Sequence, residues 1–259
     1  MDLGIEGKRA LVCASSKGLG LACARALAAE GVNLIMNARG AEALSDESNA
    51  IKTEFGVAVE TVPCDVTSMQ GQKQLIEVAQ GVDILVNNAG GPPPGMWTDW
   101  QRDDFVKALD ANMLAPIALM SALLPRMIDK GWGRVVNITS QSVKSPIAAL
   151  GLSNSARAGL TGYVAGTSRQ VAPMGVCINN LLPGSHATAR IDALDKGTSD
   201  KSGITFEEAR AARQSTIPVG RDGNPKDFGA MCAFLCSQYA NFMVGQNVLL
   251  DGGNVNATI

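Results

Sequence analysis

The stretch Arg9–Gly31, RALVCASSKGLGLACARALAAEG, decides the fold. It opens with RALVCA, an apolar run of strand length, and turns through ASSKGLG. It then continues as GLACARALAAE, a helical stretch closed by Gly31. Gly18 and Gly20 allow the backbone to approach a pyrophosphate held at the N-terminus of the following helix. A short glycine motif also fits an ordinary strand–helix turn, so the rest of the chain has to settle the reading.

The alternation continues outward from that turn. VNLIMN reads as a second strand, AEALSDESNAIKTEF as a helix, and VAVETVPC as a third strand. VDILVNNAG, GRVVNITS and VCINNLLPG follow as later strands. Strands rich in apolar and β-branched residues, spaced by helices, predict an α/β protein with a doubly wound parallel sheet in three layers. No internal repeat or linker divides the chain, so residues 1–259 are expected to form a single nucleotide-binding domain. The polar, glycine-bearing Ala193–Gly203 reads as a loose segment, and a mobile lid is expected around residues 187–217.

Composition narrows the function classes. A net charge of −2 with 18% charged residues gives no field that favours nucleic acid or an anionic membrane. The N-terminus lacks a long apolar segment, and neither a signal peptide nor a spanning helix is expected, which leaves the cytoplasm as the default compartment. The six cysteines are scattered through apolar runs. With one histidine in the chain, Cys232 and Cys236 do not make a zinc site, and no metal is expected.

ASSKGLG, CDVT at Cys64–Thr67, NNAG at Asn87–Gly90, NITS at Asn137–Ser140 and PGSHAT at Pro183–Thr188 occur in a telling order. They are closed by GRDGNPKDFGAMCAFLCS and GQNVLLDGG. In order and spacing the set resembles the short-chain dehydrogenase/reductase family over nearly the whole chain, and among its members the 3-oxoacyl-(acyl-carrier-protein)-reductase-like ones. The resemblance implies a Rossmann fold with a seven-stranded parallel sheet. It places Ser15, Lys17, Leu19 and Gly20 around the phosphates, Asp65 and Val66 at the adenine, and Asn88, Ala89 and Gly90 beside the ribose. Pro183, Gly184 and Thr188 fall near the nicotinamide. One departure is Ala14, where the family often has glycine.

Cofactor choice follows from the end of the second strand. An NAD site usually sets an acidic side chain there, on the ribose hydroxyls. This chain has LIMNARG, with Asn37, Ala38 and Arg39 and no carboxylate. Arg39 can fork onto a 2′-phosphate and Lys17 can add a second charge, so NADP(H) is expected over NAD(H).

The family implies hydride transfer between nicotinamide and a carbonyl or alcohol, carried by a serine, a tyrosine, a lysine and an asparagine. Ser140 takes the serine position and Asn112 of LDANMLAP the asparagine position. Thirteen residues beyond Ser140, the tyrosine position holds Ser153, and the lysine position holds Arg157. Spaced i, i+4 on a helix, these two share a face. The spacing survives and the chemistry changes, because a serine hydroxyl is a far weaker acid than a phenol and arginine cannot relay protons. Tyr163 and Tyr239 read as packing residues and Lys144 as a surface cation. His186, the single histidine, is a candidate acid–base group beside the nicotinamide. GGPPPGMWTDW, Gly90–Trp100, reads as a stiff pocket wall.

Three readings stay open. The first is an NADP(H)-binding oxidoreductase that reduces a small carbonyl compound through an altered centre of Ser140, Asn112, Ser153 and Arg157, with Arg157 also fixing the cofactor's ribose. The second is a non-redox lyase or isomerase on the same pocket, and the third a non-catalytic NADP(H)-binding protein. The family resemblance implies a homo-oligomer, a dimer or tetramer, through the helices bearing Asn112 and Ser153. MLAPIALMSALLP at Met113–Pro125 fits either that interface or internal core.

Overall fold

The computed structural model describes residues 1–258. Seven strands, β1 (Arg9–Val12), β2 (Asn33–Ala38), β3 (Val59–Pro63), β4 (Ile84–Asn87), β5 (Gly133–Ile138), β6 (Val176–Pro183) and β7 (Asn247–Leu250), form one sheet. Its order is β3-β2-β1-β4-β5-β6-β7, and every pairing is parallel. The strands are buried on both faces because alternate residues enter opposite cores. Ala10, Val12, Ile84 and Val86 join one cluster, and Leu11, Cys13 and Leu85 join the other. Helices α1 (Gly18–Ala29) and α9 (Pro225–Cys236) cover the first face, with α2 (Ala41–Phe55) beside them. Helices α3 (Met69–Val78), α5 (Ala115–Asp129) and α6 (Gly151–Val171) cover the second, and the short α4 (Arg102–Leu109) leads into α5. This is the three-layer Rossmann arrangement expected from the sequence.

Strand order reverses between β1 and β4, and the carboxyl ends of these strands open a crevice at that switch point. The crevice is where the glycine turn, Asn88–Gly90 and Pro183–Thr188 converge.

Two elements differ from the sequence reading. Ala193–Gly203, expected to be loose, lies mostly in helix α7 (Ala189–Ser202), which packs on α8 (Phe206–Ser215). Intrinsic propensity is weak there, but tertiary ion pairs supply what it lacks. Asp192 meets Arg210 at 2.6 Å, Asp195 meets Arg213 at 2.6 Å, and Gly203 ends the helix at φ 68°. The second difference concerns membrane-crossing character. The helical stretch Arg102–Asp129 contains an 18-residue window with a mean hydropathy of 1.4, long and apolar enough to cross a bilayer. Its apolar side chains have another use, since Leu119, Met120, Leu123, Leu124 and Met127 are buried in the second core. Six residues of Met113–Pro125 are thus internal core, while Leu114, Ser121 and Pro125 are exposed.

Candidate active site

The glycine turn is built for close approach. A Cβ on Gly20 would lie 2.8 Å from Asn88 Nδ2 and 2.9 Å from the Ala14 carbonyl carbon, so only hydrogen fits. Ala14 has φ 47°, the one positive value at a non-glycine among the described residues; a glycine there would meet no such cost. Helix α1 starts without a side-chain cap and with no acidic residue in its first turn. Its first N–H groups and its positive dipole end therefore face the crevice, as an anion site requires. Ser15 is fully buried and turns away from the crevice. Its Oγ accepts from the Asn37 backbone N–H at 3.1 Å and so braces the turn against β2.

At the end of β2, Asn37 also points inward. Its Nδ2 donates to the carbonyls of Val62 at 2.9 Å and Cys64 at 3.1 Å. Arg39 is exposed and makes no ion pair among the described residues, and neither does Lys17. Asp65 lies close enough for Arg39 to help hold its carboxyl below the usual range. The larger cause is the Thr67 backbone N–H, which donates to Asp65 Oδ1 at 2.9 Å. Val66, half-buried beside it, accepts from Gln72 Nε2 through its carbonyl.

A second feature lies beneath the centre. Asn87, Asn137, Asn180 and Asn247 occupy paired register positions on β4, β5, β6 and β7. Each of the first three donates its side-chain amide to the next, at 2.8, 3.2 and 2.8 Å. The row ends at Asn87 Oδ1, which is buried and has no partner. Asn112 sits in a π-helical turn, Asp110–Leu114, the wide turn that presents it inward. Its Nδ2 donates to the carbonyls of Gly90 and Ala108 at 3.4 Å, and its Oδ1 also lacks a partner. Both orphan oxygens face a chamber of about 10 Å³ walled by Asn87, Asn112, Ile138 and Arg157. That is room for a single water molecule with polar partners around it.

Ser153 and Arg157 are both buried on α6, at 5% and 7% exposure. Arg157 Nε donates to Ser153 Oγ at 3.2 Å, and Nη1 donates to the Ile138 carbonyl at 2.8 Å. The second bond ties α6 to the end of β5, two residues before Ser140. Burial brings the Arg157 pKa down to about 10, and the nearby Arg190 guanidinium adds to the fall. Ser140 is half-buried, and its Oγ accepts from the Ser142 N–H at 3.1 Å. A neighbouring cavity of about 340 Å³ is lined by Gly90–Pro94, Trp100, Lys107, Asn112 and Leu152. The proline stretch is therefore a wall, as expected, and Trp100 packs edge-on against Phe105 at 6.4 Å.

His186 is set into the structure beside Phe228. It is buried edge-on against Phe228 at 5.2 Å, with Nδ1 3.2 Å from the Gly184 carbonyl, and burial lowers its pKa. Lys144 is exposed, and Tyr163 packs against the second core. Tyr239 is exposed after α9. Pro183 ends β6, and Gly184 accommodates the Asp251 backbone where a Cβ would come within 2.6 Å. Thr188 lies over the glycine turn, its methyl 3.8 Å from where a Gly18 Cβ would be. Leu19 is half-buried against the first core, and Ala89 lines the small chamber.

Sequence reasoning missed Arg190. From α7 it donates to the carbonyls of Gly91 at 3.1 Å and Pro92 at 3.4 Å, spanning the mouth of the crevice. It also missed Arg213, which joins Asp195, Asp222 and Ser185.

Comparison with known proteins agrees with this geometry. A family model described as enoyl-(acyl carrier protein) reductase matches residues 13–254. The chain belongs to the short-chain dehydrogenase/reductase family. Its relatives include the 3-oxoacyl-(acyl-carrier-protein) reductase FabG of Aquifex aeolicus (strain VF5), 29% identical over 98% of this chain and 99% of that protein. The human dehydrogenase/reductase SDR family member 4 is 30% identical over 96% of this chain and 88% of its own length. Among solved structures, the L-sorbose reductase of Gluconobacter frateurii, complexed with NADPH and L-sorbose, superposes with a TM-score of 0.95. It is 27% identical, and the match covers 99% of this chain and 100% of that one. Actinorhodin polyketide ketoreductase with NADPH gives a TM-score of 0.90 at 27% identity, over 96% and 98% of the two chains.

The residues present fit a nicotinamide dinucleotide. The uncapped start of α1 and the close approach at Gly20 are the features such a cofactor needs.

Proposed function

We propose that this protein is an NADP(H)-dependent reductase of small carbonyl compounds that works without a phenolic acid. The observation that carries the reading is the end of β2, where Arg39 is exposed and unpaired while Asn37 is turned inward and no carboxylate replaces it. A cation there favours a 2′-phosphate, and Lys17 across the turn adds to the field. Relatives solved with NADPH support the same cofactor class.

Gly18, Leu19 and Gly20 would hold the phosphates through backbone N–H groups, with Lys17 beside them, while Ser15, whose N–H donates to the Asn37 carbonyl at 2.9 Å, would brace the turn from behind. Asp65 and Val66 would border the adenine, Asn88, Ala89 and Gly90 the ribose, and Pro183, Gly184 and Thr188 the nicotinamide. When bound, a nicotinamide cofactor would supply hydride to the carbonyl carbon, and the oxygen would need a proton from this chain's residues or from water. Ser140 Oγ donates to that oxygen, and Arg157 stabilises the negative charge that builds on it. Ser153, held by Arg157, orients a water molecule that delivers the proton. Losing a positioned general acid costs about 10²–10⁴ in rate, so turnover is slow beside that of a tyrosine-bearing relative. Helices α7 and α8, with the segment 187–217, act as the lid. The exposed Phe105, Val106 and Leu114 are the surface for self-association into a dimer or tetramer.

The experiment is fluorescence titration with NADPH and NADH, followed by NADPH consumption on a carbonyl panel. NADPH binding tighter than NADH, with consumption of at least one carbonyl, is expected. Tight NADPH binding with no consumption across the panel overturns the reductase reading. Product formed without redox change points to a lyase or isomerase instead.

A further inference from the structure

Helices α7 and α8 leave the body of the domain and return to it at one joint. The chain goes out through Ser185–Ala187 and comes back at Asp222–Gly223. There the Gly223 N–H donates to the Ser185 carbonyl and the Ala187 N–H to the Gly223 carbonyl, both at 2.9 Å. Arg213 secures the same joint through Ser185 Oγ at 2.6 Å and Asp222 Oδ2 at 3.1 Å. Apolar packing adds little beyond it, since α7 fully buries only Asp195 and α8 only Ala209. From Ala189 to Ser215, the hydrogen bonds and ion pairs among the described residues stay within residues 185–222, with one exception. The exception is Arg190.

Its guanidinium donates to the carbonyls of Gly91 and Pro92 across the crevice and rests on Gly91. A Cβ added to Gly91 would lie 2.7, 3.0 and 3.1 Å from three guanidinium atoms, so the missing side chain is what lets Arg190 settle there. The receiving loop is stiff, because Pro92, Pro93 and Pro94 fix their own φ angles. A pre-set receiver keeps down the ordering cost of the contact. Two residues earlier, the Thr188 methyl stands 3.8 Å from where a Gly18 Cβ would be, over the opposite rim. Thr188–Arg190 therefore forms a strap from the glycine turn to the Gly90–Pro92 loop. A dinucleotide laid from Gly18–Gly20 to Asn88–Gly90 would lie beneath it.

We propose that Arg190 is a clasp that holds the α7–α8 lid shut across the crevice in the cofactor-free protein, and that a nucleotide enters and leaves only when the clasp lets go. The inference rests on the dinucleotide-binding reading of the crevice and adds to it the residue that sets the rate of exchange. The clasp closes on neutral backbone carbonyls of this chain, so it needs no ligand charge to form. The same two carbonyls are available with the nucleotide in place. Removing the clasp then shifts the closed–open ratio equally in the free and bound protein, which speeds entry and exit together and leaves affinity alone.

The test is stopped-flow binding of NADPH and NADH to the full-length protein and to two variants, Arg190→Ala and Gly91→Ala. Gly91 has no positive φ, and the atoms nearest an added methyl are those of Arg190, so Gly91→Ala displaces the guanidinium and keeps its charge. Both variants should raise the association and dissociation rates of both cofactors by roughly 5- to 10-fold, as for one or two lost hydrogen bonds at an exposed rim. Each Kd should stay within about twofold of the parent. A weaker Kd with an unchanged association rate would show Arg190 touching the nucleotide itself, and unchanged rates would show an ungated crevice; either overturns the proposal. So does an effect confined to Arg190→Ala, which would belong to the charge. Hydrogen exchange in the cofactor-free protein supplies a readout that needs no nucleotide. Released from the rim, the first turns of α7 should exchange roughly 5- to 10-fold faster in both variants, and unchanged exchange overturns the clasp. The two readings fail separately. Binding of neither nucleotide refutes the dinucleotide site while exchange still decides the clasp, whereas tight binding with parent-like rates in both variants refutes the clasp alone.

Discussion

Replacing Arg39 by alanine isolates one charge at the end of β2. The side chain is exposed, pairs with no carboxylate within ion-pair distance, and makes no hydrogen bond among the described residues. Its loss should therefore leave folding stability within about 0.5 kcal/mol of the parent, as for surface changes away from structural contacts. Toward a 2′-phosphate the expected loss is larger. Exposed ion pairs contribute up to about 1 kcal/mol and hydrogen bonds to charged groups about 1.5–3 kcal/mol, so a guanidinium–phosphate contact at an open rim should lie between. About 1–2 kcal/mol corresponds to roughly a 5- to 30-fold rise in the Kd for NADPH. NADH has no 2′-phosphate, and its Kd should move by less than about twofold. Fluorescence titration of both cofactors against both proteins at low salt measures the four constants. The NADPH advantage of the parent protein should also shrink as ionic strength rises, because the contact is screened. Equal weakening of NADPH and NADH would refute the assignment, since it would show that Arg39 supports the fold of the crevice and not the phosphate.

Other outcomes follow from the same geometry. Gly20→Ala should cut affinity for both cofactors more than tenfold, because the added methyl meets the Ala14 carbonyl and the Asn88 side chain; unchanged titrations would refute the close approach. The double change Ser153→Tyr with Arg157→Lys should raise the rate of NADPH consumption on any accepted carbonyl by about 10²-fold or more, and a fall in rate with the fold intact by circular dichroism would show that the crevice no longer accommodates a phenol. Arg213→Ala leaves Asp195, 2% exposed on its side chain, without its closest partner and should cost about 3 kcal/mol, read as a drop in Tm. In the parent, Arg213 holds the Asp222 carboxyl well below the usual range. A depressed acid contributes stability that is complete above the ordinary carboxylate pKa and declines as pH falls below about 4. Part of that acid-side decline should vanish in Arg213→Ala, and identical pH profiles in the two proteins would count against the pair.

The parts of the fold that were legible in the sequence were those set by local pattern. Buried parallel strands read as unbroken apolar runs, and Gly18 and Gly20 marked the turn between the first strand and its helix. The i, i+4 spacing of Ser153 and Arg157 placed both on one face of α6, where they are hydrogen-bonded. What stayed hidden depends on register and on partners distant in sequence. The asparagines of NNAG, NITS, INNLLPG and GQNVLL looked like separate polar residues; they meet because the strand registers align them. Ser15 and His186 had the right addresses for the crevice, yet their side chains turn into the structure toward Asn37 and Phe228. Position along the chain fixes where a Cα lies, and it does not fix which way a short polar side chain points.

Ala193–Gly203 shows the same limit from the other side. Composition made it a loose segment, and three carboxylate–guanidinium contacts with α8 set most of it in the helix Ala189–Ser202. The helix matters because Arg190, in its first turn, reaches the mouth of the crevice only from there. Arg190 therefore depends on the ion pairs that order α7, and loosening α7 through Arg213→Ala should release the Gly91 and Pro92 carbonyls that it holds. It should leave the 2′-phosphate contact of Arg39, on the far side of β1, unchanged. A fall in NADPH affinity with none for NADH in Arg213→Ala would show that the phosphate contact depends on α7 after all.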